Sequence, residues 1–268
     1  MTYFGFLALF MGTPIAVLLV TAIRDHRQGR VNPPAFGNFP GWLPILITVV
    51  VAVAWTTPWD NYLVATRVWW YDPALVTGIT LGYVPLEEYT FFVVQPIMTG
   101  LWLLFLMRRL RPSGEAGSAL DGRRVRRMAL AAAGVVWVAG GAVLFSGWEP
   151  GRYLGLELIW ALPPLMLQLA FGADILRRHW RLVLLGIVPT TAYLSFADAL
   201  AIGSGTWTIN PDLSLGVYLG GVLPLEEMLF FLLTNTLVVF SVTLVLAQES
   251  KARVPFLARR RQAEPGQS

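Results

Sequence analysis

The chain has 268 residues, of which 56% are hydrophobic and only 13% are charged, and its mean hydropathy is +0.60. An ordinary soluble domain carries about 25% charged residues, so this composition is that of an integral membrane protein. The absence of cysteine excludes disulfides and thiolate chemistry, and the net charge of +4 comes from basic residues between apolar segments, which argues against a nucleic-acid partner.

Seven apolar segments are long enough to span a bilayer, for which a helix needs about 20 residues. In chain order they cover residues 3–23, 41–59, 76–107, 128–147, 153–175, 181–202 and 216–248. No basic region precedes the apolar part of the first segment, so we interpret it as a retained helix rather than a cleaved signal peptide. The sequence therefore predicts an all-α integral membrane protein with seven transmembrane helices.

Basic residues are distributed unevenly between the connecting loops. All but Arg67 and Arg152 of the 20 basic residues lie in loops that share one side of the membrane. Because cytoplasmic loops carry an excess of lysine and arginine, we expect a multi-pass protein of the cell membrane with its N-terminus outside and its C-terminus in the cytoplasm. Residues 111–122 are predicted to form a flexible cytoplasmic linker, and residues 251–268 a disordered basic tail.

The chain contains an internal repeat. Its centre is "YVPLEEYTFF" at residues 83–92, which has a near twin in "VLPLEEMLFF" at residues 222–231. Further aligned positions are Asp60 with Asp198, Trp69 with Trp207, and Tyr3 with Tyr153. Helices one to three thus correspond to helices five to seven, and the unpaired fourth helix returns the chain so that both copies run in the same direction.

This repeat divides the chain into four parts. We predict a first three-helix repeat at 1–107, a linker with connector helix at 108–152, a second three-helix repeat at 153–250 and the tail at 251–268. In two parallel repeats both PLEE motifs lie at the same depth near the outer surface, where they can converge on one site.

Each motif places two adjacent glutamates within apolar sequence, and Glu87, Glu88, Glu226 and Glu227 are the candidate catalytic residues. Proline followed by acidic residues is also a common helix start, so helix capping is the alternative. Ionisable groups inside spans are costly and indicate function. Desolvation and a neighbouring like charge disfavour the carboxylate form, so one group can hold a proton beside a conjugate base.

Aromatic residues follow each glutamate pair by one helical turn, at Phe91, Phe92, Phe230 and Phe231. Their ring faces can stabilise a cation, although packing against lipid is an equal alternative for any one of them. Acids, bases and aromatic rings without a metal, thiol or nucleotide suit the protonation of an alkene in a lipid-soluble isoprenoid. Loss of a proton from the resulting carbocation gives isomerisation or cyclisation.

The segments "GYVPLEEYTFFVVQPIMTGLW" and "GVLPLEEMLFFLLTNTLVV" resemble the two halves of the membrane-bound lycopene cyclases, which occur as heterodimers in actinobacteria and as fusions in other bacteria, archaea and fungi. The upstream "DPALVTGITLGY" and "GTWTINP" also match, so the resemblance covers nearly the whole chain. It implies an intramolecular lyase of carotenoid biosynthesis. Such an enzyme converts the acyclic ψ ends of lycopene or a related carotene into rings, usually β rings, without a cofactor.

The resemblance also implies roles for residues. One of the four glutamates protonates the terminal C1=C2 alkene, C5=C6 closes the ring, and a second carboxylate removes the C6 proton. The candidate substrate-binding residues are Phe91, Phe92, Phe230, Phe231, Asp60, Asp198, Trp69 and Trp207. For the two aspartates, solvation at a helix end is the alternative, and for the tryptophans it is an interfacial aromatic belt.

Other polar residues within the spans carry weaker signals. Gln95 and Asn235 are expected to hydrogen-bond between helices, and Glu157 has no acidic counterpart because Leu7 occupies the equivalent position. His26 and His179 lie in arginine-rich loops, so no metal site is expected. The expected partners are a carotenoid substrate, the bilayer and other enzymes of the carotenoid pathway.

Two other functions remain open from the residues alone. Paired acids inside spans also suit a proton-coupled transporter. Seven helices suit a protein that binds retinal or a carotenoid, but Lys251, the only lysine, follows the last span and cannot form a Schiff base within it.

Overall fold

The computed structural model describes residues 1–110 and 119–254, and within these residues seven helices are long and apolar enough to cross a membrane. Their bounds are Tyr3–Arg27 (α1), Trp42–Ala65 (α2), Leu86–Met107 (α3), Ala119–Phe145 (α4), Arg152–Arg178 (α5), Trp180–Gly203 (α6) and Leu225–Leu246 (α7). The predicted all-α class with seven spans is therefore confirmed for the described part of the chain.

Short antiparallel strands connect the helices at the end of the bundle where α1 begins. They are Trp69–Tyr71 (β1), Thr80–Leu81 (β2), Val84–Pro85 (β3), Trp207–Ile209 (β4), Tyr218–Leu219 (β5) and Leu223–Pro224 (β6). β2 pairs with β3 and β5 pairs with β6, so each half carries a hairpin directly before its PLEE helix. β1 pairs with β4, with Trp69 opposite Ile209, and this ribbon joins the two halves.

The third and seventh spans begin later than the predicted starts at residues 76 and 216. The preceding residues are apolar, but they form the hairpins, because glycines such as Gly82 and Gly220 adopt positive φ values that turn the chain. Pro85 and Pro224 are extended and immediately precede their helices instead of occupying the first helical position. Apolar character alone could not separate these hairpins from helix.

The two predicted flexible segments are only partly described. Residues 111–118 of the linker and 255–268 of the tail lie outside the described residues, whereas α4 already begins at Ala119. The start of the tail is not disordered, since it belongs to a 3₁₀ helix at Gln248–Arg253. Arg253 Nη1 donates a hydrogen bond of 3.0 Å to Asp174 Oδ1 on α5, which fixes this segment against the bundle.

The two PLEE helices, α3 and α7, pack against each other through a buried polar network. Asn235 Oδ1 accepts hydrogen bonds from Gln95 Nε2 at 2.9 Å and from Thr99 Oγ1 at 2.7 Å. The predicted hydrogen bond between Gln95 and Asn235 is thus confirmed. A shared polar network fixes the rotation of the two helices relative to each other, and with it the direction of the residues at their starts.

The connector helix α4 packs along α5 through small residues. A Cβ atom added to Gly140 would lie 2.7 Å from the Cβ of Leu158, and one added to Gly155 would lie 2.9 Å from the Cβ of Leu144. Neither position can carry a side chain without moving its neighbour. The glycines therefore allow a close approach that keeps α4 at the side of the bundle, on α5.

Candidate active site

A chamber lies between the starts of α3 and α7, beneath the β1–β4 ribbon. The space between its lining atoms, including the part open to solvent, is about 530 Å³. Among its lining residues are the predicted candidates Glu88, Glu227, Asp60, Asp198, Phe91, Phe92, Phe230, Phe231, Trp69 and Trp207. The structure thus brings together residues from both repeats in one apolar space.

The other two predicted acids, Glu87 and Glu226, are buried but do not line the chamber. Glu87 Oε1 accepts a hydrogen bond of 2.6 Å from the backbone N–H of Thr77. Glu226 Oε1 accepts one of 2.7 Å from the backbone N–H of Leu215. In each repeat the first glutamate therefore holds the segment that leads into the hairpin, and the second faces the chamber.

Glu88 is bound by two phenol groups. Its Oε2 accepts hydrogen bonds from the hydroxyl of Tyr3 on α1 and, at 3.0 Å, from the hydroxyl of Tyr71 on β1. Burial, reinforced by the charges of Asp60 and Glu88, raises the pKa of Tyr71 well above its ordinary value. The Tyr71 hydroxyl therefore keeps its proton and acts as a donor to the carboxyl group.

Among the described residues, one phenol group binds Glu227. Its Oε1 accepts a hydrogen bond of 2.8 Å from the hydroxyl of Tyr153 on α5, the counterpart of Tyr3. The position equivalent to Tyr71 in the second repeat is Ile209, whose side chain has no hydrogen-bond donor. The two halves of the chamber therefore share one architecture but differ by one phenol donor.

The two aspartates also differ. Asp198 Oδ1 accepts a hydrogen bond of 2.9 Å from the indole Nε1 of Trp207. Within the part of the chain that the structure describes, neither carboxyl oxygen of Asp60 has a hydrogen-bond partner, and neither has the indole N–H of Trp69. Asp60 and Asp198 are buried inside α2 and α6, so solvation at a helix end does not describe them.

Aromatic rings form much of the remaining wall. Trp59 stacks on Trp160 with their ring centroids 4.3 Å apart, and Tyr3 packs on Trp207 at 4.8 Å. Trp69 and Trp207 are only 8% and 9% exposed, so they line the chamber and do not form an interfacial belt. Electron-rich ring faces around an enclosed space can stabilise a positive charge from which water is kept away.

Several residues of the site were not among the sequence candidates, namely Tyr3, Tyr71, Tyr153, Phe6, Trp59 and Ile209. A signal existed for Tyr3 and Tyr153, because they align in the repeat although they lie far from the motifs. Tyr71 carried no such signal, since its counterpart is Ile209 and a tyrosine near a membrane surface is ordinary.

The comparisons with a family model and with known proteins agree on one family. The model of the family described as "Lycopene cyclase" matches residues 31–106 and 152–245. The chain is 38% identical to a lycopene beta-cyclase of Halobacterium salinarum, over 88% of this chain and 92% of that protein. It is 36% identical to a bifunctional lycopene cyclase/phytoene synthase of Gibberella fujikuroi, over 73% of this chain and 33% of that protein. No solved structure gives a significant match.

Proposed function

Since the chain belongs to the lycopene cyclase family, we propose that it closes the acyclic ψ ends of lycopene or a related carotene into β rings within the chamber. The observation that carries this function is the pair of buried carboxyl groups, Glu88 and Glu227, that enter one aromatic space from opposite repeats. The enzyme is an intramolecular lyase of carotenoid biosynthesis that acts in the membrane.

The reaction needs one proton donor and one proton acceptor. A carboxyl group transfers its proton to C2 of the terminal C1=C2 bond, which leaves a positive charge on C1. The π electrons of C5=C6 then form the C1–C6 bond, and the charge moves to C5. A carboxylate removes the proton from C6, which creates the C5=C6 double bond of a β ring. One proton enters and one leaves, so nothing is oxidised or reduced.

The hydrogen bonds suggest which carboxyl group plays which part. Two phenol donors stabilise the charged form of Glu88, so Glu88 is the carboxylate that removes the C6 proton. Glu227 has one phenol donor and interacts with Asp198. Two close carboxyl groups resist ionising together, so the Glu227–Asp198 pair holds a proton, and we assign the donor to Glu227 because fewer phenol groups stabilise its charged form than that of Glu88.

The chamber walls stabilise the carbocation that exists between protonation and proton removal. Trp59, Phe91 and Phe230 present rings to the same space, and Phe91 and Phe230 are stacked with centroids 6.5 Å apart. A cation over such rings is attracted to their faces. The same apolar wall keeps water from adding to C1 or C5, which would give an alcohol instead of a ring.

Membrane orientation and partners belong to the same proposal. The excess of basic residues at one end of the bundle supports a cytoplasmic C-terminus and an N-terminus outside. The partner is a carotenoid dissolved in the bilayer, delivered by other enzymes of the carotenoid pathway. No observation favours proton-coupled transport, and Lys251 lies in the 3₁₀ helix after α7, where a retinal Schiff base would be outside the bundle.

Expression in a bacterial host that accumulates lycopene tests this function. We expect the red acyclic pigment to be replaced by carotenes with β rings, identified by chromatography, absorption and mass. The control is the same chain carrying both Glu88→Gln and Glu227→Gln. Unchanged lycopene, with the native chain demonstrated in the membrane fraction, would contradict cyclisation.

A further inference from the structure

A second cavity adjoins the chamber on the side toward the other end of the bundle, between α2 and α5, with α3 and α7 behind it. The two cavities share Phe91, Phe92 and Phe230 as a common boundary. We call the second cavity the polyene cleft. No residue that is confined to it takes part in the chemistry described above.

The walls of the cleft are suited to an unfunctionalised chain. Three of its polar side chains donate hydrogen bonds within the protein. Thr48 Oγ1 donates to Ser241 Oγ at 2.9 Å, Thr234 Oγ1 to the carbonyl of Phe230 at 2.8 Å, and Gln168 Nε2 to the carbonyl of Leu237 at 2.9 Å. Gln168 Oε1 has no partner among the described residues. The surface that faces the cavity is mainly apolar. A hydrocarbon that binds there therefore removes water from few polar groups.

Two tryptophans hold α2 and α5 together across the cleft. The indole Nε1 of Trp55 donates a hydrogen bond of 3.1 Å to the carbonyl of Trp160 on α5. In a regular helix that carbonyl would accept from residue 164, but Pro164 has no N–H. Trp59 Nε1 likewise donates to the carbonyl of Leu156 at 3.1 Å. Joining the helices through long side chains instead of close backbone packing leaves a gap that faces lipid.

The side of the cleft is open to the membrane. Val51 and Trp55, which line it from α2, are 54% and 45% exposed on a helix that spans the bilayer. Along α7 the lining runs from Phe230 to Ser241, which at 1.5 Å per residue is about 16 Å. That is about half of a hydrocarbon core roughly 30 Å thick.

We propose that this cleft binds the extended polyene chain of the substrate, so that one ψ end reaches the acids while the rest of the carotene passes between α2 and α5 into the lipid. The inference rests on the proposed function and adds to it a binding site for the part of the substrate that does not react. The shared boundary of the two cavities carries it, because a linear molecule with its end in the chamber must leave through an adjoining space. After one end has reacted, the molecule can slide out sideways and return with its other end.

Filling the cleft tests this binding site. Ala52→Trp places a large ring in the cleft, whereas Ala54→Trp, on the lipid-exposed surface of the same helix and outside the lining, is the matched control. Leu237→Trp fills the cleft from the opposite wall and guards against a folding defect specific to Ala52→Trp. Each change is made in the inactive Glu88→Gln/Glu227→Gln chain. The lycopene that copurifies with the detergent-solubilised protein is measured by absorption.

We expect at least a ten-fold loss of bound lycopene with both cleft substitutions and no loss with Ala54→Trp. Retention of lycopene by a folded cleft variant at the level of the control would overturn the polyene cleft. Binding is measured in a chain that does not turn over its substrate. The result therefore does not depend on whether the proposed reaction occurs. If the native chain leaves lycopene unchanged in the bacterial host, it is the proposed function that fails.

Discussion

At the scale of single residues, the adjacent glutamates of each motif have different surroundings. Glu87 and Glu226 accept hydrogen bonds from backbone N–H groups, whereas Glu88 and Glu227 accept hydrogen bonds from phenol groups in the chamber. Neighbouring positions on a helix point about 100° apart, so one member of each pair can face a given space. The sequence identified the pairs. It could not identify which glutamate of each pair faces the chamber, because that depends on where the helix begins. The start of the helix could not be located because the preceding hairpin is also apolar.

Replacement of single glutamates should separate these roles. Glu88→Gln and Glu227→Gln should each lower cyclisation at least 100-fold, because general acid or base catalysis typically contributes that much. Glu87→Gln and Glu226→Gln should retain most of the activity, since the amide oxygen of glutamine can still accept the same backbone N–H. Conversion of lycopene by isolated membranes is the measurement. Equal losses in all four variants would contradict the division of roles.

The residual products should also distinguish acid from base. Without Glu227 no proton reaches C2, so we expect only acyclic carotene. Without Glu88 the cation can still form, and a less well placed acceptor can remove a proton from the methyl carbon on C5 or from C4. Traces of rings whose double bond is not C5=C6 are therefore expected from Glu88→Gln, identified by magnetic resonance of the purified pigments. The opposite pattern would reverse the assignment.

At the scale of elements, the local sequence determined the number of helices but not the starts of two of them. Hydropathy predicts only that a segment lies in or near the membrane. Residues 76–85 are apolar but lead into and form a hairpin, in which Ile79 is 57% exposed and Tyr83 is 66% exposed. Contacts between elements were predicted where a polar residue had to find a partner inside the bilayer, as with Gln95 and Asn235. The pairing of β1 with β4 follows from tertiary packing of the two repeats and left no local signal.

The polar network between α3 and α7 should contribute measurably to stability. Asn235→Ala leaves the buried donors of Gln95 and Thr99 without their acceptor, which typically destabilises by about 1–3 kcal/mol. We expect a lower Tm in detergent than for the native chain. The control is Thr236→Ala, the next residue of α7, which is half-buried and whose hydroxyl donates to the carbonyl of Leu232 in its own helix. An equal effect of both substitutions would argue against the network.

At the scale of the whole molecule, the two helices that carry the PLEE motifs begin at a single chamber. The sequence predicted this convergence from the direction of the repeats, and both PLEE helices do begin at the same chamber. It could not predict the asymmetry, which comes from Tyr71 facing Glu88 where the second copy has Ile209. One carboxyl group thereby receives two phenol donors and the other receives one, which is how a nearly symmetric site can contain both an acid and a base.

The orientation of the molecule can be tested in intact cells. The native chain has no cysteine, so a single introduced cysteine reports one position. Asp212→Cys, on the chamber side, should react with a membrane-impermeant maleimide without permeabilisation. Gln28→Cys, at the other end of the bundle, should react only after permeabilisation. Labelling in the reverse order would contradict an outside N-terminus, although it would leave the chamber and its chemistry unaffected.

The most direct test of the central claim is a single turnover in deuterium oxide, with purified protein in excess over lycopene. If a carboxyl group of the chamber protonates the ψ end, each ring must carry one deuterium at C2, because exchangeable carboxyl protons are replaced by deuterons before the reaction. The mass of the product should rise by one unit for each ring formed. A cyclised product with the same mass as the product formed in ordinary water would contradict proton-initiated cyclisation by these acids.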